Sequence, residues 1–154
     1  MDQPRRIYPD DPALPDVMAL IRRAFAYMEA RINPPSSMTK MTLDDARGHA
    51  KSHEIWAIGS PPIAACFLTI EPRRLYLGRL AVDESHRGQG LARRLFELAE
   101  QRAHVLNLPC IELGSRVELT ENHAIFRKAG FEVYAEGTHD GFDRPTTLWF
   151  RKSL

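Results

Sequence analysis

Residues 75–95 read LYLGRLAVDESHRGQGLARRL. Leu75 to Val82 is an apolar run suited to a β-strand. Gly78 interrupts it, which predicts a bulge or a close backbone approach there. Asp83-Glu84-Ser85-His86 is a polar turn. Arg87-Gly88-Gln89-Gly90-Leu91-Ala92 then leads into an amphipathic helix with Leu91, Leu95, Leu98, Ala99 and Leu106 on one face. A strand, a glycine-rich turn and a helix start in this order present unpaired backbone N–H groups to an anion. Gly88 and Gly90 let a ligand approach without meeting a Cβ, and Arg87 adds positive charge.

Upstream, Glu54–Ile58 and Ile63–Ile70 read as strands of a hairpin turning at Gly59-Ser60-Pro61-Pro62. Ile63 to Leu68 is apolar at successive positions, as for a central strand covered on both faces. Arg5–Tyr8 reads as a short first strand. Leu14, Val17, Met18, Ile21 and Phe25 recur at helical spacing and predict a helix over Ala13–Arg31. Asn33-Pro34-Pro35-Ser36-Ser37 ends that pattern. Thr42 and Asp45 have the spacing of a capping box, which starts a second helix running to about Lys51.

Downstream, Asn107 and Pro109 stop the long helix, and Pro109–Ser115 is the next strand. Thr120–Ala129 is a short helix, with Gly130 in the left-handed position of a Schellman ending and Phe131 after it. Phe131–Ala135 and Thr146–Arg151 are the last two strands, separated by the turn-rich Glu136–Pro145. Helices, a meander and then a strand–helix–strand unit predict an α+β fold. Its mixed sheet carries helices on both faces, in one domain over residues 1–154.

Twenty-one Lys and Arg balance 20 Asp and Glu to leave +1, which supports neither a nucleic-acid nor a membrane-surface partner. Cys66 and Cys110 lie in apolar runs and read as buried free thiols, which suits a reducing cytosol. The N-terminus MDQPRRIYPDD has no apolar core of a leader peptide, and no run approaches membrane length. The chain is therefore expected in the cytoplasm. No metal is expected.

Two familiar phosphate-binding patterns fail here. A dinucleotide fingerprint needs a third glycine where Arg93 stands. A P-loop needs Gly-Lys-Ser/Thr, and Gly90 is followed by Leu91. Arg87-Gly88-Gln89-Gly90-Leu91-Ala92 instead resembles the Arg/Gln-x-x-Gly-x-Gly/Ala signature of the GNAT superfamily, acyl-CoA-dependent N-acetyltransferases. Leu80-Ala81-Val82-Asp83 is similar to the strand end before that signature. Asn122-x-Ala124-x-Phe126-x-x-x-Gly130-Phe131 resembles the family's second block.

The resemblance implies a mixed, mostly antiparallel GNAT-like sheet of about six or seven strands, in α/β/α layers, and acetyl-CoA as co-substrate. Arg87, Gly88, Gln89, Gly90, Leu91 and Ala92 would cradle its pyrophosphate. Backbone groups of Leu80, Ala81 and Val82 would pair with the pantetheine arm like an added strand. The strand carrying them and Pro109–Ser115 must then splay apart, and a bulge at Gly78 would help. Asn122 would hydrogen-bond the cofactor. Dimers are common in the family, so a homodimer through the final strands is implied by analogy.

Acetyl transfer needs a neutral amine, a polarised thioester carbonyl and an outlet for the thiolate. The N–H of Leu80 or Val82 would serve the carbonyl. The family often has a tyrosine proton donor where this chain has Phe126, so that role does not carry over. Bases are sought on the strand before the glycine turn, at Tyr76 and Gly78, and Gly78 has no side chain. Tyr76 and, acting through water, Glu112 are the catalytic candidates. His139 lies near the expected acceptor cleft. Glu118 and Glu121 read as helix-entry acids, and His86 is placed for phosphate contact. The acceptor is expected between Asn33–Met41 and Glu136–Pro145, where Arg116 and Arg144 are candidate carboxylate receivers. Two readings stay open: an N-acetyltransferase acting on the primary amine of a small molecule or peptide by direct attack in a ternary complex, and a non-catalytic acyl-CoA-binding or regulatory module.

Overall fold

The computed structural model describes residues 3–36 and 40–154. Strand β1 (Arg5–Arg6) is followed by helices α1 (Leu14–Glu29) and α2 (Leu43–Ser52). Strands β2 (Glu54–Ile58), β3 (Ala64–Ile70) and β4 (Leu75–Val82) form the meander. Helix α3 (Leu91–Val105), strand β5 (Cys110–Arg116) and helix α4 (Thr120–Lys128) come next, and β6 (Glu132–Gly137) and β7 (Thr147–Ser153) close the chain. The polar turn at Glu84–His86 is a single 3-10 turn. All seven strands lie in one sheet of order β1-β2-β3-β4-β5-β7-β6, antiparallel except for the β4–β5 pair.

Both predicted caps form. Thr42 accepts from the Asp45 N–H while Asp45 accepts from the Thr42 N–H, which satisfies two orphan donors of α2 at once. At the end of α4, Phe131 N–H reaches Phe126 O and Gly130 N–H reaches Arg127 O, with Gly130 at φ +98°. This is the Schellman pattern. Phe126 and Phe131 both pack on Phe96 of α3.

The sheet divides two cores. Alternate residues of β3, β4, β5 and β7 (among them Cys66, Leu68, Leu75, Leu77, Ile111 and Phe150) meet α3 and α4 on one face. Ile55, Ala57, Ala65, Phe67 and Ala81 meet α1 and α2 on the other. Apolar residues on both faces explain why β3 reads as a continuous apolar run. Burial pushes the Cys66 thiol up to about 12, so it stays protonated as a core residue. Buried Glu54 anchors β2 to α3 by accepting two bonds from the Arg102 guanidinium, and it also accepts from the Trp56 indole. A buried carboxylate is tolerable only with such pairing. Helices α1 and α2 cover β2, β3 and β4. Beyond them the same face of β5, β7 and β6 carries Glu112, Gly114, Trp149 and Arg151.

Among the described residues, no helix is long and apolar enough to cross a membrane.

Candidate functional site

β4 and β5 pair at Leu75–Ile111 and Tyr76–Glu112 only, among the described residues. Past Tyr76 the two parallel strands diverge. The cause lies on β4. Against β3, Ala65 faces Ala81 but Phe67 already faces Gly78, so β4 holds one residue more than its partner. The bulge predicted at Gly78 thus falls one residue later, where Arg79 takes a left-handed φ of +51°. An arginine in that conformation is strained, by about 1–3 kcal/mol in general. The bulge bends β4 away from β5 and leaves the backbone of Leu80, Ala81 and Val82 without a strand on that side. Leu80 and Val82 lean on the α3/α4 core, and Ala81 packs under α1.

The slot runs up to the glycine turn. Gly88 and Gly90 both have φ of +78°, and a Cβ on either would meet nothing within 4 Å. The turn therefore uses glycine for its conformation and leaves open space above. Gly90 is the N-cap of α3 and has no side-chain cap, and its carbonyl takes the first helical bond from Arg94 N–H. The N–H groups of Leu91, Ala92 and Arg93 precede that bond and point outward, as at any helix start. The Leu91 side chain is a core residue and Ala92 is half-buried, so only their backbone can face a ligand. Gln89 is exposed. The Arg87 guanidinium lies 5.1 Å from the centre of the Tyr27 ring of α1. A groove of about 350 Å³ runs there between α1 and the turn. His86 is held by Asp83, Nδ1 to carboxylate at 2.8 Å. Asn122, in the first turn of α4, is half-buried, and its carboxamide has no partner among the described residues.

Tyr76 stands at the fork. Burial pushes its phenol up, and a backbone hydrogen bond from Gly114 of β5 opposes the shift. The phenol is thus neutral at physiological pH, and Tyr76 stands where the β4–β5 ladder ends. Its ring lies over Gly78, where a Cβ would sit 3.3 Å from the ring edge, and 6.4 Å from the Trp149 ring. These rings face a cavity of about 480 Å³ on the uncovered half of the sheet.

Glu112 departs from the expectation of a base. Its side chain is 4% exposed and accepts from Arg74 (2.7 Å), Arg151 (3.0 Å) and the Tyr134 hydroxyl. Burial alone would raise its pKa. The three donors outweigh burial and hold the carboxyl at about 2. A carboxylate so held is a poor proton acceptor, and its geometry is that of a tie between β4, β5, β7 and β6. The donors come from strands far apart in sequence, which is why a strand-alternation argument did not find them.

The acceptor walls are also specified. Arg116 donates to Pro34 O (2.6 Å) and Pro35 O (3.0 Å), so it is not a free carboxylate receiver. Arg144 meets Asn33 O and Glu118, and Glu121 pairs with Arg31. The connection after α1 is thereby strapped across the wide end of the slot onto β5 and α4. Residues 37–39 of the expected Asn33–Met41 wall lie outside the described residues. His139 is occupied by Thr146, and buried His123, which the sequence reading passed over, bonds Arg116 O at 3.0 Å. Phe126 is buried against Phe96 and Phe150.

A forked parallel strand pair with a glycine-lined helix start at its open end defines the class of acyl-CoA-using transferase folds. A sequence model of the acetyltransferase (GNAT) family matches residues 14–131, and the chain belongs to that family. No curated protein matches the chain. Among solved structures, the PaiA N-acetyltransferase of Thermoplasma acidophilum in complex with coenzyme A has a TM-score of 0.82 at 14% identity, covering 100% of this chain and 99% of that one. An acetyltransferase of the GNAT family from Staphylococcus aureus gives 0.76 at 13% identity, over 98% and 99% of the two chains. One from Streptococcus agalactiae gives 0.76 at 17%, over 99% and 98%. At these identities the likeness is one of fold.

Proposed function

We propose that this protein transfers an acetyl group from acetyl-CoA to a primary amine of a small molecule or peptide, by direct attack in a ternary complex. The observation that carries the reading is the fork of β4 and β5, open from the Arg79 bulge to Gly88 and Gly90. Its free backbone edge and open glycine turn fit an extended thioester arm ending in a diphosphate. Leu80, Ala81 and Val82 hold the arm, Arg87 through Ala92 hold the diphosphate, and Asn122 adds its carboxamide. Two buried free thiols, Cys66 and Cys110, fit a reducing cytoplasm.

The Leu80 N–H, displaced from the ladder by the bulge, polarises the thioester carbonyl. The amine approaches from the cavity beside Tyr76. Its nitrogen bonds to the carbonyl carbon, the carbon–sulfur bond breaks, and the electron pair leaves on sulfur. The neutral Tyr76 hydroxyl orients the amine or the water that carries off its proton. With Phe126 apolar and Glu112 held by its three donors, the thiolate takes its proton from solvent, and alignment in the fork supplies most of the acceleration.

Acetyl-CoA at saturating concentration should raise the melting temperature, because a ligand bound only by the folded state stabilises it by a few kcal/mol. Free thiol should appear with an amine panel. Arg87→Glu should remove the thermal shift, and an unchanged shift would put the site elsewhere. Buried Phe126 and locked Glu112 favour the second reading, a non-catalytic acyl-CoA-binding module. A thermal shift without thiol release across the panel would select it.

A further inference from the structure

Trp149 has an unusual seat. It stands on β7, between β5 and β6, and projects onto the sheet face that α1 and α2 leave uncovered. It pairs with Gly114 across the β5–β7 ladder, and Gly137 lies on its other side on β6. A Cβ at Gly114 would lie 2.5 Å from its Cζ3, and one at Gly137 would lie 2.8 Å from its Nε1. Both are closer than any real contact, so the indole lies flat across the neighbouring strands only because both neighbours are glycine. The six-membered ring points to the fork and the pyrrole nitrogen to β6. Gly114 and Gly137 stand on strands two spacings apart, roughly 9–10 Å, with the indole between them.

The cavity above this indole is lined by Tyr76 and Tyr134, and by Glu71, Arg74 and Glu136. Its charges are mostly spent. Glu71 pairs with Arg74, and Glu112 behind the wall pairs with Arg74 and Arg151. Arg151 also covers the Tyr134 ring at 4.0 Å. Glu136 faces Leu148 across the β6–β7 ladder, one position off the Ala135 and Gly137 that flank Trp149, so its exposed carboxylate leaves on the other face of the sheet. A cavity of about 480 Å³ suits a small molecule.

We infer that the acceptor is a small primary amine with a planar, aromatic body that stacks on Trp149, its amine at the fork beside Tyr76. This rests on the acetyl-transfer reading and narrows its substrate class. A flat apolar floor between two glycines gains most from a flat partner, since offset aromatic stacking adds to area burial.

The test compares phenethylamine and hexylamine as acceptors, with acetyl-CoA saturating. The expected kcat/KM for phenethylamine exceeds that for hexylamine by at least fivefold. Trp149→Ala should bring phenethylamine and hexylamine to within twofold while the acetyl-CoA thermal shift persists. Gly137→Ala, which displaces the indole while keeping it, should reduce the aromatic preference as well, and it decides the matter if Trp149→Ala does not fold. Hexylamine equal to or better than phenethylamine, or an aromatic preference that survives these substitutions, overturns the inference. Binding is read separately by quenching of tryptophan fluorescence, taken as the difference between wild type and Trp149→Phe. Quenching by phenethylamine without thiol release would keep the seat and overturn the transferase reading. Hexylamine turnover with no quenching by phenethylamine at millimolar concentration would do the reverse.

Discussion

Glu112 shows how a single residue changes role with its surroundings. On the strand alone it is an acid facing a cleft. In the fold it is the point where β4, β5, β7 and β6 are tied together by Arg74, Arg151 and Tyr134. Its carboxyl titrates at about 2 in the folded chain against an ordinary 4.5. A pKa lowered on folding stabilises the protein above the unfolded value, here by about 3 kcal/mol. That contribution is complete above pH 4.5 and drains away as the pH falls toward 2. Thermal melts across this range should show an acid limb that flattens in Glu112→Gln. At neutral pH, Glu112→Ala should cost about 3–5 kcal/mol, because it leaves two arginines around a vacated buried site. Tyr76 has the opposite character, a phenol kept neutral by burial. Tyr76→Phe should lower kcat about a hundredfold, the lower end of what one positioned proton-handling group contributes, with the acetyl-CoA thermal shift retained. An unchanged kcat would remove Tyr76 from the mechanism.

At the scale of elements, the β4–turn–α3 unit joins a strained strand to an uncapped helix. Gly90 has φ of +78° at the N-cap of α3, so Gly90→Ala keeps the space but strains the backbone. It should destabilise the chain by about 1–2 kcal/mol in denaturant titration and shrink the acetyl-CoA shift. The α2 cap gives a control away from the site. Thr42→Ala removes one half of the capping box and should cost about 1 kcal/mol with kcat/KM unchanged. These local devices were legible in sequence. Thr42 with Asp45, Gly130 before Phe131, and the glycine turn each depend on residues within a few positions of one another. The bulge was legible only as a glycine in an apolar strand. Which residue takes the extra place depends on how β3 holds its register, and Arg79 takes it.

Across the whole molecule, the connection after α1 is fastened to β5 and α4 by Arg116, Arg144 and the Arg31–Glu121 pair. Arg116→Ala removes two bonds to Pro34 and Pro35 carbonyls. It should raise amide exchange in residues 31–36 by about tenfold or more, as for a net bond of 1–3 kcal/mol to a charged donor. The β2–β4 core should exchange as before. If exchange in that segment does not change, the strap is held by packing and not by Arg116.

The amino-acid order alone determined the elements, the helix caps, the two-sided sheet and the family, because each rests on periodicity, turn chemistry or motif residues close together in the chain. The candidate cofactor turn was readable for the same reason. The acceptor side was not. β7 inserts between β5 and β6, so Gly114, Gly137 and Trp149 become neighbours only when the last strand enters the sheet out of chain order. The same insertion brings Arg151 and Tyr134 onto Glu112 and turns a candidate base into a structural tie. Contacts between residues dozens of positions apart depend on strand order and register, and those are decided by packing of the whole sheet.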